Sequence, residues 1–189
     1  MATQPVTKIT EEEYLRLERA AEYRSEFIGG EIIAMPGGTF RHARLIMKWS
    51  TQLENKLTGT GCVPYPSSAR VRTPSTGSYV YPDVSVVCGE PIPHSGSKDI
   101  ITNPRVVFEV LSPSTSDYDR GKKFDLYREI PSLNEYVLVH TDAVQVDHFV
   151  RQPDGSWVFR EYRGEESTIS LNSVNCAIRL GDAHADLPK

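Results

Sequence analysis

Arg105-Val106-Val107-Phe108-Glu109-Val110-Leu111-Ser112 reads as a buried strand with an acid in its middle. Two-residue alternation puts Glu109 on the same face as Val107 and Leu111. An unpaired carboxylate among aliphatic side chains is costly, so it is normally paired, protonated or bound to a metal. Upstream, Tyr81-Pro82-Asp83-Val84-Ser85-Val86-Val87 carries a second strand-borne acid, Asp83. Asp83 shares a face with Tyr81 and Ser85, while Val84 and Val86 point the other way. Two acids on neighbouring strands are what a divalent-cation site needs. The bland alternative is a salt bridge from Glu109 to an arginine or lysine.

Outward from this pair, the chain reads as α-ββ-α-ββββ-α-β-ββ. Thr10-Glu11-Glu12-Glu13 is a capping box opening a first helix that runs to about residue 21. Residues 23–28 and 31–35 read as a hairpin about Gly29-Gly30. After Pro36-Gly37-Gly38, a second helix over 40–57 keeps Ile46, Trp49, Leu53 and Leu57 at three-to-four spacing. Strands follow over 62–65, 69–72, 79–87 and 106–112, with a loop over 89–103. A third helix over 117–129 stops before Pro131, then come a strand over 135–140 and a hairpin over 144–150 and 157–163. The tail from 167 to 187 is weakly patterned. The fold class is mixed α/β (α+β), a sheet flanked by helices, with a strand–helix–strand crossover from 106 to 140.

The length of 189 residues suits one domain over 1–189, with 39% apolar and 24% charged residues. No run approaches the roughly 20 apolar residues that span a bilayer. The N-terminus, with Pro5, Lys8 and Glu11-Glu12-Glu13, lacks the apolar stretch of a secretion signal, so the expected location is cytoplasmic. A net charge of −4 argues mildly against indiscriminate DNA coating and leaves room for a local basic cleft. Cys62, Cys88 and Cys176 fit no metal-ligand spacing or disulfide framework, which leaves three reduced thiols. The five histidines show no zinc pattern.

Magnesium takes hard oxygen ligands, commonly one or two carboxylates plus waters and phosphate oxygens. Asp83, Glu109 and the carbonyl of Val110 could supply such a partial shell. Asp119, Lys123 and Tyr127 follow at four-residue spacing and share one helix face. Lys123 could therefore reach back to the acids, stay charged beside them, and hold an attacking water or a phosphorane. The bland alternative is an Asp119–Lys123 surface pair. Arg41, Arg44 and Lys48 fall on one side of the second helix, and Arg70 and Arg72 share a strand face. Either set could meet DNA phosphates, although a solvated face is the commoner reason for such spacing.

Several strings resemble the Uma-two family, within the PD-(D/E)XK, restriction-endonuclease-like superfamily. They are Pro82-Asp83-Val84-Ser85-Val86-Val87, Phe108-Glu109-Val110-Leu111-Ser112-Pro113-Ser114-Thr115, Asp119-Arg120-Gly121-Lys122-Lys123-Phe124-Asp125-Leu126-Tyr127 and Glu135-Tyr136-Val137-Leu138-Val139. Glu26-Phe27-Ile28-Gly29-Gly30-Glu31-Ile32-Ile33 and the following His42 also match. The likeness implies a nuclease-like core over about 9–150, with an extra C-terminal hairpin and tail over 144–189. It implies a magnesium-dependent phosphodiesterase centre, with manganese as a substitute. Asp83 and Glu109 become the metal-binding acids and Lys123 the catalytic lysine. Glu31 matches a recurrent family acid that could complete the metal shell, and His42 a histidine near the cleft. The superfamily signature expects lysine two places after the acid, where this chain has Leu111. The resemblance implies that Lys123 replaces it from the helix.

The resulting expectation is a metal-dependent endonuclease acting on DNA, for which a homodimer would suit two-strand cutting. The alternative from another class is a noncatalytic nucleic-acid- or protein-binding module on a degenerate nuclease scaffold.

Overall fold

The computed structural model describes residues 8–35, 37–113 and 115–188. Pro5, Pro36 of the expected helix break and Ser114 of the expected turn lie outside the described residues. Helix α1 (Glu11–Ala20) opens on Thr10, whose hydroxyl accepts the Glu13 N–H, as the capping box requires. Strands β1 (Ser25–Ile28) and β2 (Glu31–Ala34) form the hairpin. Its turn needs positive φ at both central positions, and Gly29 and Gly30 supply +60° and +95°. Helix α2 (Phe40–Leu57) begins on Thr39, which caps the His42 N–H.

Next come β3 (Cys62–Pro66), β4 (Arg70–Arg72), β5 (Tyr79–Val80), β6 (Val84–Cys88), β7 (Ile100–Ile101) and β8 (Val106–Val110). A helical segment over residues 116–127 crosses to β9 (Glu135–Val139). The chain then forms β10 (Gln145–Arg151), β11 (Trp157–Arg163), β12 (Thr168–Leu171), β13 (Cys176–Arg179) and a short helix, Leu180–His184.

These strands make two mixed sheets and a hairpin. The larger sheet runs β11-β10-β9-β8-β6-β3, the smaller β2-β1-β5-β4-β7, and β12 pairs with β13. The parallel β8–β9 pair, with Glu109 opposite Leu138, is the expected strand–helix–strand crossover. On one face of the larger sheet, Leu45, Trp49 and Leu53 of α2 pack against Val84, Val86, Phe108 and Val137. On the other face, Val107 and Leu138 meet Tyr127 of the crossover and Val71, Val80 and Ile101 of the smaller sheet. Glu109, in step with Val107, therefore points into the space between the sheets. Among the described residues, no helix is long and apolar enough to cross a membrane.

Four local expectations need correction. The strand expected over 79–87 is two strands in different sheets, because Pro82 has no N–H to place in a ladder and the chain changes sheet there. The loop over 89–103 contains β7, which pairs parallel to β4. The tail is not featureless: Ile169, Leu171, Cys176 and Ile178 alternate inward from β12 and β13, in strands of four residues. The cysteines are not three thiols. Cys62 and Cys88 stand opposite one another on β3 and β6 and form a disulfide, leaving Cys176 buried and free. Only the strand register, invisible in a 26-residue separation, brings them together.

Denatured without reductant, the protein should therefore titrate one thiol, and three after reduction. Closing that 26-residue loop should contribute about 3 kcal/mol, read from urea unfolding with and without reductant. Three thiols in the unreduced sample would refute the pairing.

Candidate functional site

A cleft of about 340 Å³ opens where both sheets meet the crossover segment. Glu26, Asp83, Glu109, Asp119, Lys123 and His42 line it, together with Val110 and Lys122. Asp83 arrives there because Pro82 ends pairing to one sheet just before β6 begins in the other. Its Oδ2 accepts the Val110 N–H at 2.7 Å, and its own N–H donates to Glu109 Oε2 at 3.4 Å. The two acids are thus laced together through backbone groups of adjacent strands.

The crossover segment supplies the cation. Its turn Asp119–Lys123 is π-helical, a widened turn that is rare and frequent at functional sites. Asp119 and Lys123 are both buried against the cleft rather than paired on the surface. The Lys123 ammonium lies 2.8 Å from Glu109 Oε1, 3.3 Å from Glu26 Oε1 and 3.6 Å from Asp119 Oδ1. Tyr127, one turn on, donates its hydroxyl to Glu109 Oε1 at 2.8 Å. The four-residue spacing of Asp119, Lys123 and Tyr127 does bring all three groups to one cluster. The salt bridge weighed as the bland explanation of Glu109 exists, and its partner is Lys123 itself.

Burial dominates the protonation of these groups. It pushes Glu109 well above the ordinary carboxylate range, with Lys123 opposing and the Asp83 and Asp119 charges adding to the rise. Burial raises Asp83 too, against the pull of His42, Lys123 and the Val110 N–H. Asp119 rises for the same first cause, against Lys123 and the Thr115 hydroxyl. Burial alone would lower Lys123, but Glu109, Glu26 and Asp119 lift it well above the usual lysine value. The ammonium therefore keeps its proton, and four carboxylates face two lysines in one cleft.

The other expected residues divide. His42 lies at the cleft, its Nε2 3.6 Å from Asp83 Oδ2, and Gly38 hugs its ring so closely that a Cβ there would stand 2.7 Å from Nδ1. Glu31 is exposed on the hairpin and does not line the cleft. The acid that does is Glu26, which strand alternation turns inward from β1 toward Lys123. It accepts the Tyr81 N–H at 3.0 Å and the Tyr118 hydroxyl at 2.7 Å. Glu26 follows Arg24-Ser25 and precedes Phe27-Ile28, a weaker signal than the apolar flanks on both sides of Glu109.

The expected phosphate contacts mostly serve the fold. Arg41 donates to the Thr141 and Pro188 carbonyls, and Lys48 lies 3.8 Å from Asp186, so both tie the C-terminal tail to α2. Arg70 is buried against Asp99, and Arg72 pairs with Glu11. Of the first set, Arg44 alone is exposed.

Among the described residues, no three His, Cys, Asp or Glu side chains form a ready cation cage. The expected donors, Asp83, Glu109 and the Val110 carbonyl, are all hard oxygens. That suits magnesium, which binds through one or two carboxylates and keeps several waters. Four carboxylates about two lysines leave a deficit of positive charge that a dication would offset.

The family profile of Uma2, described as "Putative restriction endonuclease", matches residues 11–180. The chain belongs to the Uma2 family. Two Synechocystis proteins, "Uncharacterized protein slr1290" and "Uncharacterized protein sll1609", are similar to it at 38% and 37% identity. The first alignment covers 93% of this chain and 91% of that protein, the second 88% and 94%. A solved structure from Anabaena variabilis ATCC 29413, titled as that of "a putative nuclease", superposes with a TM-score of 0.76 at 19% identity. It covers 94% of this chain and 98% of that one, which shows that the mixed α/β fold is shared.

In this Uma2 protein, Lys123→Met should strand Glu109, Glu26 and Asp119 together without their cation. Urea unfolding near neutral pH should show a loss of about 3–5 kcal/mol. The acids have raised folded pKa values, so their ionisation costs stability as pH climbs from the unfolded value of 4.5 through the folded one. The deficit of the variant should accordingly shrink as the pH falls toward that range. A pH-independent deficit would show that packing, not charge, is what the lysine supplies.

Proposed function

We propose that this protein is a divalent-cation-dependent endonuclease hydrolysing phosphodiester bonds of DNA, with Asp83, Glu109 and Lys123 as its catalytic groups. The observation that carries this reading is the buried Glu109–Lys123 pair at 2.8 Å, in a cleft that holds three further carboxylates. A structural ion pair needs one acid for one lysine. Four acids about Lys123 and Lys122 make sense where positive charge arrives with a ligand.

Asp83, Glu109 and the Val110 carbonyl would hold magnesium, or manganese in its place, which supplies Lewis acidity toward a phosphate oxygen and a more acidic water. Lys123, kept protonated by its acids, presents a fixed ammonium to the oxygens on which charge builds during phosphoryl transfer. Glu26 and Asp119 hold that ammonium in place, and Tyr127 fixes Glu109. His42 lies beside Asp83, where its ring orients the carboxylate. Arg44, on the exposed side of α2, is available to a DNA phosphate. On this reading the protein acts in the cytoplasm, a compartment in which a disulfide such as Cys62–Cys88 is unusual. A homodimer would let two such sites address opposite strands.

The noncatalytic alternative draws on a specific observation: Glu109 already accepts from Tyr127 and the Asp83 N–H and pairs with Lys123. Calorimetric titration of the protein with Mg²⁺ and Mn²⁺ separates the readings, alongside a plasmid-nicking assay. The wild type should bind the cation and nick the plasmid. Asp83→Ala should lose cation binding, and Lys123→Ala should nick about 100-fold or more slowly. Absence of both binding heat and nicking in the wild type would leave the module on a degenerate scaffold.

A further inference from the structure

We infer that the cleft accepts a nucleotide of an unpaired strand, so that single-stranded or locally opened DNA is cut in preference to intact duplex. The inference rests on the nuclease reading and specifies its substrate.

The acids and the lysine lie inside the cleft, not on its rim: the side chains of Glu109 and Lys123 are 3% and 7% exposed and that of Asp83 14%. A scissile phosphate has to come down to them. The space available, about 340 Å³, is at the small end of pockets that enclose a single small ligand. A duplex is a stiff rod with a persistence length of about 150 base pairs, so its backbone bends into such a pocket less readily than a flexible single strand does. A nucleotide freed from pairing can enter alone, as in enzymes that extrude their target base.

The wall chemistry points the same way. Ile33 and Met35, from the hairpin and its exit, and the half-buried ring of Tyr118 line the cleft beside the acids. A phosphodiester backbone has no use for such a wall. The exposed faces of an unstacked base do, since they gain by contact with aromatic and apolar side chains. In a duplex those faces are stacked on one another and cannot be offered.

Several of the cations that could have met phosphates are committed within the fold. Duplex-binding proteins gain non-specific affinity by neutralising many phosphates with lysine and arginine. Here Arg41, Lys48, Arg70 and Arg72 are spent on the tail, Asp99 and Glu11. The chain as a whole carries a net charge of −4. With these four occupied, and the exposed Arg44 and cleft-lining Lys122 left over, much of the grip would come from the cleft itself and from the cation it binds, which suits a short unpaired segment.

The test uses the wild-type protein with Mg²⁺ and one end-labelled DNA sequence in three forms: single strand, blunt duplex, and duplex with a central unpaired bubble. Initial cleavage rates are read on denaturing gels. The single strand and the bubble should be cut about tenfold or more faster than the duplex, with bubble cuts confined to the unpaired stretch. Duplex cut as fast as the single strand, or bubble cuts spread into the paired arms, would overturn the inference and leave the nuclease reading standing. Cleavage of none of the three would remove both.

Discussion

A single buried ammonium organises this molecule. Lys123 draws Glu109 from the larger sheet, Glu26 from the smaller sheet and Asp119 from its own helical turn to one point. Glu26 adds a second tie, since it takes hydrogen bonds from Tyr81 at the sheet crossing and Tyr118 on the crossover segment. The network that assembles the cleft therefore also joins the two sheets. Such a cluster is a poor way to gain stability, because well-packed apolar side chains of similar volume often do as well or better than buried ion pairs. Its presence at the inner end of an open cleft, rather than in a sealed core, argues that the charges are there to meet a ligand.

Backbone irregularity falls where the chemistry is. Pro82 forbids a continuous strand and delivers Asp83 at the point where the chain leaves one sheet for the other. The widened turn Asp119–Lys123 directs two charged side chains into the cleft before an ordinary helical turn resumes at Phe124. Regular elements set the distances between these points: the paired β6–β8 register carries Asp83 to Val110, and the parallel β8–β9 crossover places the lysine over the strand that bears Glu109. Departures from local rules concentrated beside a cluster of perturbed ionisable groups are characteristic of functional sites.

The sequence was most readable where the signal is local. An acid interrupting an apolar strand exposed Glu109, four-residue spacing grouped Asp119, Lys123 and Tyr127, and capping and turn chemistry located α1, the first hairpin and α2. It was least readable where the deciding partner is remote. No spacing rule could show that Arg41 reaches the carbonyl of Pro188, that Arg70 pairs with Asp99, or that Cys88 faces Cys62. Glu26 is a different kind of omission. Its strand is apolar only on the C-terminal side, Phe27-Ile28 after Arg24-Ser25, so the interruption that marks Glu109 is weaker there, and the recurrent acid of the hairpin was Glu31, whose side chain meets solvent. Two residues along a hairpin exchange burial for exposure when the glycine turn lies between them.

The distribution of charge constrains how the proposed reaction could begin. A cleft with four carboxylates repels a phosphodiester unless protons or cations offset them. Burial raises Asp83, Glu109 and Asp119 and so favours protons on them, which lessens the repulsion but weakens their hold on a cation. Cation binding would have to displace those protons, so its affinity should strengthen as the pH rises. Lys123 cannot relieve the competition, since its own charge is already shared among three acids. On the proposed reading, cation and nucleotide therefore bind with mutual assistance, each supplying the charge of the sign that the other lacks.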